Sequence, residues 1–287
     1  MSAFNIGLIL VSAVFHASWN ILAKRSTDKP SFFWLAGLAA SVCVLPVLWL
    51  YWQPISLTGW LIIGLSSLFE AVYLVCLGKA YQSGDLSLVY PLSRGSVPLF
   101  VLVLAFGLLG ERVTGLGILG ICLTVVGIYV LHLRSFARSD LLAPFAALRT
   151  PVSRFALGAA LCTAAYSTID KQGVALIHPI FYTAWIFVGY SVLLSVFILR
   201  QPQLIQHEWR NHGWRAIAVG VLSVITYLLV SHVLTSSPAS YVSALRGVSI
   251  VFGSVLGVAL LGEAMGRIKV VGSLILFAGM IGIALAR

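Results

Sequence analysis

Ten apolar runs dominate this chain, and a run of about 20 apolar residues is the length that crosses a bilayer as a helix. The runs lie near residues 3–23, 31–51, 58–79, 86–109, 113–133, 153–171, 179–199, 213–234, 239–261 and 267–286. Short gaps such as Gly110-Glu111-Arg112 separate most of them. The bilayer core offers backbone groups no water, so only helices or closed barrels can span it. Barrel strands alternate polar and apolar positions over about 10 residues. These runs do not alternate, so they are predicted to be helices.

Composition agrees. Only 9% of the residues are charged, against about 25% in soluble domains. So few charges cannot cover a soluble surface, which excludes a cytosolic enzyme, a nucleic-acid-binding domain and a disordered chain. The first run starts at Ala3 with no Lys or Arg before it, which fits a spanning helix better than a cleaved signal peptide. Cys43, Cys76, Cys122 and Cys162 all fall inside apolar runs. They show neither metal-ligand spacing nor a disulfide framework, and no metal or cofactor is expected.

The longest gap, 134–152, carries Arg134, Arg138, Arg149, Pro144 and Pro151. It divides the chain into a five-helix repeat at 1–133, a basic linker at 134–152 and a second five-helix repeat at 153–287. Shifting residues 94–131 by 152 positions places them on 246–283 with eleven of 38 positions identical. The matches Arg94/Arg246, Gly95/Gly247 and Leu109-Gly110-Glu111/Leu261-Gly262-Glu263 fall in one ungapped register, which chance pairing of Leu and Gly does not explain. A repeat with an odd number of spans must cross in the opposite sense from its partner. The predicted fold is therefore an all-α integral membrane protein of ten transmembrane helices in two inverted repeats. That architecture is typical of secondary transporters, with the solute site between the halves.

With these features the chain resembles the EamA-type transporters of the drug/metabolite transporter superfamily. The two Leu-Gly-Glu turns, the Gly-spaced helices after them and Gly84-Asp85-Leu86-Ser87-Leu88-Val89-Tyr90-Pro91 carry the resemblance. It implies export or exchange of a small organic solute, coupled to protons or a counter-solute, across the cell (inner) membrane. Tyr90-Pro91-Leu92-Ser93-Arg94-Gly95 is polar for its position, which disfavours hydrophobic-drug export. The alternative class is an intramembrane enzyme. Against it, the sequence holds no His-Glu-x-x-His, no Gly-x-Gly-Asp and no plausible Ser-His pair. The partners expected are a small solute, a proton or counter-solute, and lipid, with no nucleic acid. The oligomeric state is monomer or homodimer.

Orientation follows from the basic residues. Thirteen fall in the odd-numbered connections: Lys24, Arg25, Lys29, Lys79, Arg134, Arg138, Arg149, Arg154, Arg200, Arg210, Arg215, Arg267 and Lys269. Three, Arg112, Lys171 and Arg287, fall on the other side. The positive-inside rule puts the odd connections in the cytoplasm and both termini outside. The resemblance implies termini inside; the charge split is the stronger argument.

Arg94 and Arg246 lie inside the fourth and ninth spans, where a charge costs on the order of 2.5–3.5 kcal/mol and marks function. Pro91 and Pro98 interrupt the backbone around Arg94. Two guanidinium forks match carboxylate or phosphate oxygens, so the pair is an anion clamp or, alternatively, structural glue paired with Glu70 or with helix-end carbonyls. The triose-phosphate translocators of the same superfamily resemble this arrangement. Glu70 shares a helix face with Ser66 and Tyr73 and is a proton site, an arginine's counter-ion, or a lipid-edge or packing residue. Ser12, His16, Trp19 and Asn20 in the first span, and Thr163, Tyr166, Ser167 and Asp170 in the sixth, form polar stripes expected to face the cavity. The predicted site is Arg94, Arg246, Glu70, His16, Asn20, Tyr73, Tyr90 and Tyr166. Asp170-Lys171 is predicted to be a solvated helix-end pair. Trp19, Tyr227 and Tyr241 are predicted to be packing aromatics. Glu111 and Glu263 each precede a helix start, where a carboxylate meets unsatisfied N–H groups. Gly120/Gly127, Gly272/Gly279 and Gly253-x-x-x-Gly257 are predicted to allow close helix contact.

Overall fold

A computed structural model of the chain describes residues 1–24, 26–83, 91–131, 133, 135–146, 150–253 and 266–286. The described residues form helices and no strands. In chain order they are α1 (Ala3–Lys24), α2 (Lys29–Leu50), α3 (Leu57–Ser83), a π-helical turn (Pro91–Gly95), α4 (Val97–Leu109), α5 (Gly115–Leu131), α6 (Arg138–Ala146), α7 (Pro151–Leu176), α8 (Pro179–Ile198), α9 (Pro202–Leu234), α10 (Ala239–Arg246) and α11 (Arg267–Leu285). Six of these, α1, α2, α3, α8, α9 and α11, are long and apolar enough to cross a membrane. The shorter apolar helices Ser93–Leu109, Gly115–Leu131 and Ala239–Gly253 supply the fourth, fifth and ninth spans, and α7 the sixth. The protein is an all-helical integral membrane protein, as its apolar runs predict.

Helix starts follow local chemistry. Pro30, Pro151, Pro179 and Pro202 occupy first-turn positions, where the missing N–H costs no hydrogen bond. Asp28 and Thr150 cap α2 and α7, their side chains accepting from the N–H groups of Ser31 and Ser153 at 3.0 and 3.3 Å. α4 ends at Gly110 with φ +63°, a left-handed conformation that favours glycine.

Side-chain contacts sort the connections into two faces. Glu208 accepts from the N–H groups of Thr27 and Asp28 at 2.8 and 2.6 Å, which joins the 1–2 connection to the start of α9. On the opposite face Asn5 donates to Ser236 and Ser237, and Tyr51 stacks on His178. The N-terminus thus shares a face with the even-numbered connections. Trp49 and Trp52 are exposed at the end of α2, and Trp209 and Trp214 are exposed where the polar first turns of α9 give way to its apolar length; amphipathic rings favour the headgroup zone.

The halves meet backbone to backbone at α5 and α11. A Cβ built on Gly127 would stand 2.6 Å from Leu276 N, and one on Gly279 would stand 2.6 Å from Gly120 O and Thr124 N. Gly272 is as close to Leu131 N. The paired glycines therefore serve contact within the monomer. Gly257 and Glu263 lie outside the described residues.

Three boundaries differ from the sequence reading. α9 begins at Pro202 rather than 213, because its first three turns are a polar helix that hydropathy passes over. α7 runs on to Leu176 rather than stopping at Lys171, so Asp170 and Lys171 sit inside a helix. Part of the linker folds as α6, whose Leu141 carbonyl accepts from the Tyr129 hydroxyl.

Candidate functional site

Both arginines sit where a helix is interrupted. Arg94 is the fourth residue of the π-turn Pro91–Gly95, a widened turn of the kind common at functional sites. Pro98 lies in the first turn of α4 beyond it. Arg246 ends α10. Beyond it the chain tightens to i−3 bonding: Gly247 N to Ala244 O, Val248 N to Leu245 O and Ile250 N to Gly247 O, at 3.0–3.1 Å. No proline announces this second break, and the sequence reading missed it. The glycine after each arginine packs on one residue of α5. A Cβ on Gly95 would stand 3.3 Å from Ile128 Cγ2, and one on Gly247 would stand 2.9 Å from Ile128 Cδ1. A larger residue at either position would push on the wall that holds both arginines.

The two arginines face one cavity system. One part is lined by Arg94 and Arg246 with Ser12, His16, Thr163, Ser167, Ser243 and Ser249. The other is lined by Glu70 and by Trp19, Phe33, Tyr73, Tyr166, Phe187, Tyr190 and Tyr227. His16, Arg94 and Arg246 line both parts. Arg94 Nη2 donates to the Tyr73 hydroxyl at 2.6 Å, and its guanidinium lies 5.5 Å from the centre of that ring. Tyr73 meets Tyr166 edge to face at 6.0 Å, and His16 meets Trp19 in the same way at 4.7 Å.

Six of the eight predicted site residues thus line the cavity: Arg94, Arg246, Glu70, His16, Tyr73 and Tyr166. Asn20 stands apart, its amide donating to the His16 carbonyl one turn back at 2.7 Å. Tyr90 lies outside the described residues. Trp19 and Tyr227 line the cavity rather than only packing. Tyr241 does pack, its ring pressed against Gly117. Glu70 Oε2 is buried with no hydrogen-bond partner among the described residues.

Asp170 overturns its sequence reading. It is 3% exposed, and its carboxylate accepts from Ser66 Oγ at 2.5 Å, from Tyr182 Oη at 2.7 Å and from Tyr227 Oη. It is a buried carboxylate on α7 that ties α3, α8 and α9 together, not a solvated pair. With Arg246 it lines a further small chamber. Lys171 turns the other way, donating to the carbonyls of Leu234 and Ser237 at 2.6 and 3.0 Å. The five residues by which α7 outruns the sequence reading would have flagged Asp170, since Val174, Ala175 and Leu176 continue the run past the charges.

Glu111 caps a helix, but not its own. Its carboxylate accepts from Ala239 N at 2.6 Å and from the N–H and hydroxyl of Ser240 at 3.3 and 2.7 Å. It therefore caps α10 of the opposite half instead of α5, because the inverted repeat brings the 4–5 and 8–9 connections together.

The EamA-like transporter family matches the chain twice, over residues 3–133 and 152–285. The chain belongs to this family. It is a membrane transporter of the drug/metabolite type, and its fold is the two-repeat membrane fold of the family. A solved crystal structure has a similar fold, with a TM-score of 0.78 over 99% of this chain and 98% of that one at 14% identity. No curated protein matches the chain in sequence.

Proposed function

We propose that this EamA-family protein is a secondary transporter, an exporter or exchanger, that carries a small polar organic metabolite, anionic or zwitterionic, across the cell (inner) membrane by alternating access. The observation that carries the reading is the pairing of Arg94 and Arg246. They occupy equivalent positions in the two repeats, each lies at a break in its helix, and both line the same cavity. A guanidinium held in a water-poor cavity favours an anion, and its fork suits carboxylate or phosphate oxygens. A site shared by two inverted repeats is one that rocking of the repeats exposes to each side in turn. The charge split places the face with the linker in the cytoplasm and both termini outside.

Solute binding to purified protein and uptake into vesicles test this. Arg94→Ala and Arg246→Ala should each weaken binding by about 1.5–3 kcal/mol, the size of a charge-assisted hydrogen bond. Arg94→Lys should recover part of the loss, because an ammonium lacks the planar fork. The double alanine variant should lose less than the sum, since both residues grip one anion. A neutral or cationic hydrophobe as best ligand, bound equally by wild type and both alanine variants, would overturn the anion site and leave the family membership intact.

A further inference from the structure

We infer that the connection between α9 and α10, residues 235–238, is a gate that closes the arginine cavity on the face of the even-numbered connections, and that Asn5 and Lys171 are its latch. This rests on the alternating-access reading proposed above and adds the moving part on one side of it.

The first observation is a path. The small chamber beside Asp170 shares Ser167, Ser243 and Arg246 with the hydroxyl-rich part of the arginine cavity, so the two adjoin. The same chamber is lined by Leu234, the last residue of α9, and by Ala239, the first of α10. α10 has eight residues, with Arg246 at its other end. The chamber therefore leads about 10 Å from the arginine toward the even-numbered face, at 1.5 Å of rise per residue.

The second is a closed end. The turn between α9 and α10 lies where this path meets the face. Leu234, Ser237, Ala239 and Val242 are each 2% exposed or less, so the chamber is shut to solvent there.

The third is how the turn is held. Asn5 Nδ2 donates to the hydroxyls of Ser236 and Ser237 at 3.0 and 2.9 Å. Lys171 Nζ donates to the carbonyls of Leu234 and Ser237 at 2.6 and 3.0 Å. Lys171 comes from α7 in the same repeat as the turn, and Asn5 from α1 in the other repeat. A cation at a helix C-terminus is an ordinary cap, which would explain Lys171 alone. It does not explain why Asn5 reaches across the repeats to the two serines beyond that terminus, just where the chamber ends.

Repeats that rock against each other must break contacts on one face as they open it. The α5–α11 seam does not suit that role, because glycines bring its backbones together. Hydrogen bonds from two side chains do suit it. Each is modest on its own, and water replaces it when it breaks, which is the scale of an equilibrium between two conformations.

The test is one-sided thiol labelling of the full-length protein, in right-side-out and inside-out vesicles, by a small charged methanethiosulfonate that does not cross membranes. Val242→Cys reports on the chamber. Thr58→Cys, exposed at the start of α3, reports on the face itself, and Val44→Cys, buried in α2, on general loosening. The parent with its four native cysteines sets the background. The vesicles that label Thr58→Cys fast are those that present this face. In them Val242→Cys should react slowly with the latch intact, and about tenfold or more faster with Asn5→Ala or Lys171→Met, as a shift toward the open state requires. Lys171→Arg keeps the donors and should stay within about threefold of the intact latch on the same scale. Val44→Cys should stay slow throughout. Val242→Cys reacting as fast as Thr58→Cys with the latch intact, latch variants that leave its rate unchanged, or a rise shared by Val44→Cys would each overturn the gate. These rates do not depend on the solute. Loss of the anion site, seen as unaltered binding by Arg94→Ala and Arg246→Ala, would therefore not mimic failure of the gate.

Discussion

Glu111 holds Ser240 across the molecular pseudo-twofold, accepting from its backbone N–H at 3.3 Å and its hydroxyl at 2.7 Å. A third bond comes from Ala239 N at 2.6 Å. The first turn of α10 would otherwise present unsatisfied donors, and a carboxylate also favours the positive end of the helix dipole. α10 carries Arg246 at its far end, so the cap helps to set the position of a cavity arginine. Glu111→Ala should lower stability by about 1–2 kcal/mol, the usual size of a lost cap, and Glu111→Gln by less. Thermal unfolding in detergent reads this directly. A Glu111→Ala protein that melts with the wild type would mean that the cap contributes nothing.

The α5–α11 seam makes a contrasting prediction about glycines. Gly127→Ala and Gly279→Ala place a methyl group 2.6 Å from opposing backbone atoms, and backbone cannot move aside as a flexible side chain can. Overpacking of this kind costs about 1–3 kcal/mol or more. Gly64→Ala and Gly107→Ala meet nothing within 4 Å and should be neutral or mildly stabilising, since alanine favours helix by about 1 kcal/mol. The yield of monodisperse protein by gel filtration separates the two pairs. Similar behaviour of all four would show that the seam is looser than its geometry.

Much of the fold was legible because bilayer physics is strict. Span length, the absence of alternation and the Arg-Gly and Leu-Gly-Glu repeats lead to a ten-helix, two-repeat membrane protein, and the family match agrees. What was not legible depends on contacts between distant residues. Asp170 looks like a helix-end charge until α7 is seen to continue and the hydroxyls of three other helices converge on it. Glu111 is recognisable as a cap from its own position, yet only the inverted packing shows which helix it caps. The break after Arg246 has no proline to mark it, and Gly247, which packs on Ile128 there, reads in the sequence as one of 26 glycines. The polar first turns of α9 hide from hydropathy, although Glu208 there is fully buried and holds the connection just before α2.

Topology offers an independent check. The structure puts Asn5 beside Ser236 and Ser237 on one face, and Glu208 beside Thr27 and Asp28 on the other. By sequence position thirteen basic residues fall in the odd-numbered connections and three in the others or at the C-terminus, so the face of the odd-numbered connections should be cytoplasmic. Reporter fusions at Ala286 should then be extracytoplasmic, and fusions within 135–146 cytoplasmic. A cytoplasmic Ala286 would reverse the orientation without altering the fold.

The last prediction concerns Asp170, on which the packing of four helices depends. Its two oxygens accept from Ser66 on α3, Tyr182 on α8 and Tyr227 on α9, and Arg246 shares the adjoining chamber. Hydrogen bonds to a charged group contribute about 1.5–3 kcal/mol each, and a buried hydroxyl left without its acceptor adds a desolvation cost. Asp170→Asn replaces one acceptor oxygen with a donor that faces hydroxyls already donating, so it should destabilise the fold by several kcal/mol, more than Tyr182→Phe or Tyr227→Phe, which each remove a single donor. Because the three hydroxyls share one carboxylate, the double variant Asp170→Asn/Tyr227→Phe should lose less than the sum of its parts. Thermal unfolding of the four proteins measures this coupling. Strict additivity, or an Asp170→Asn variant as stable as the wild type, would show that Asp170 does not hold these helices together.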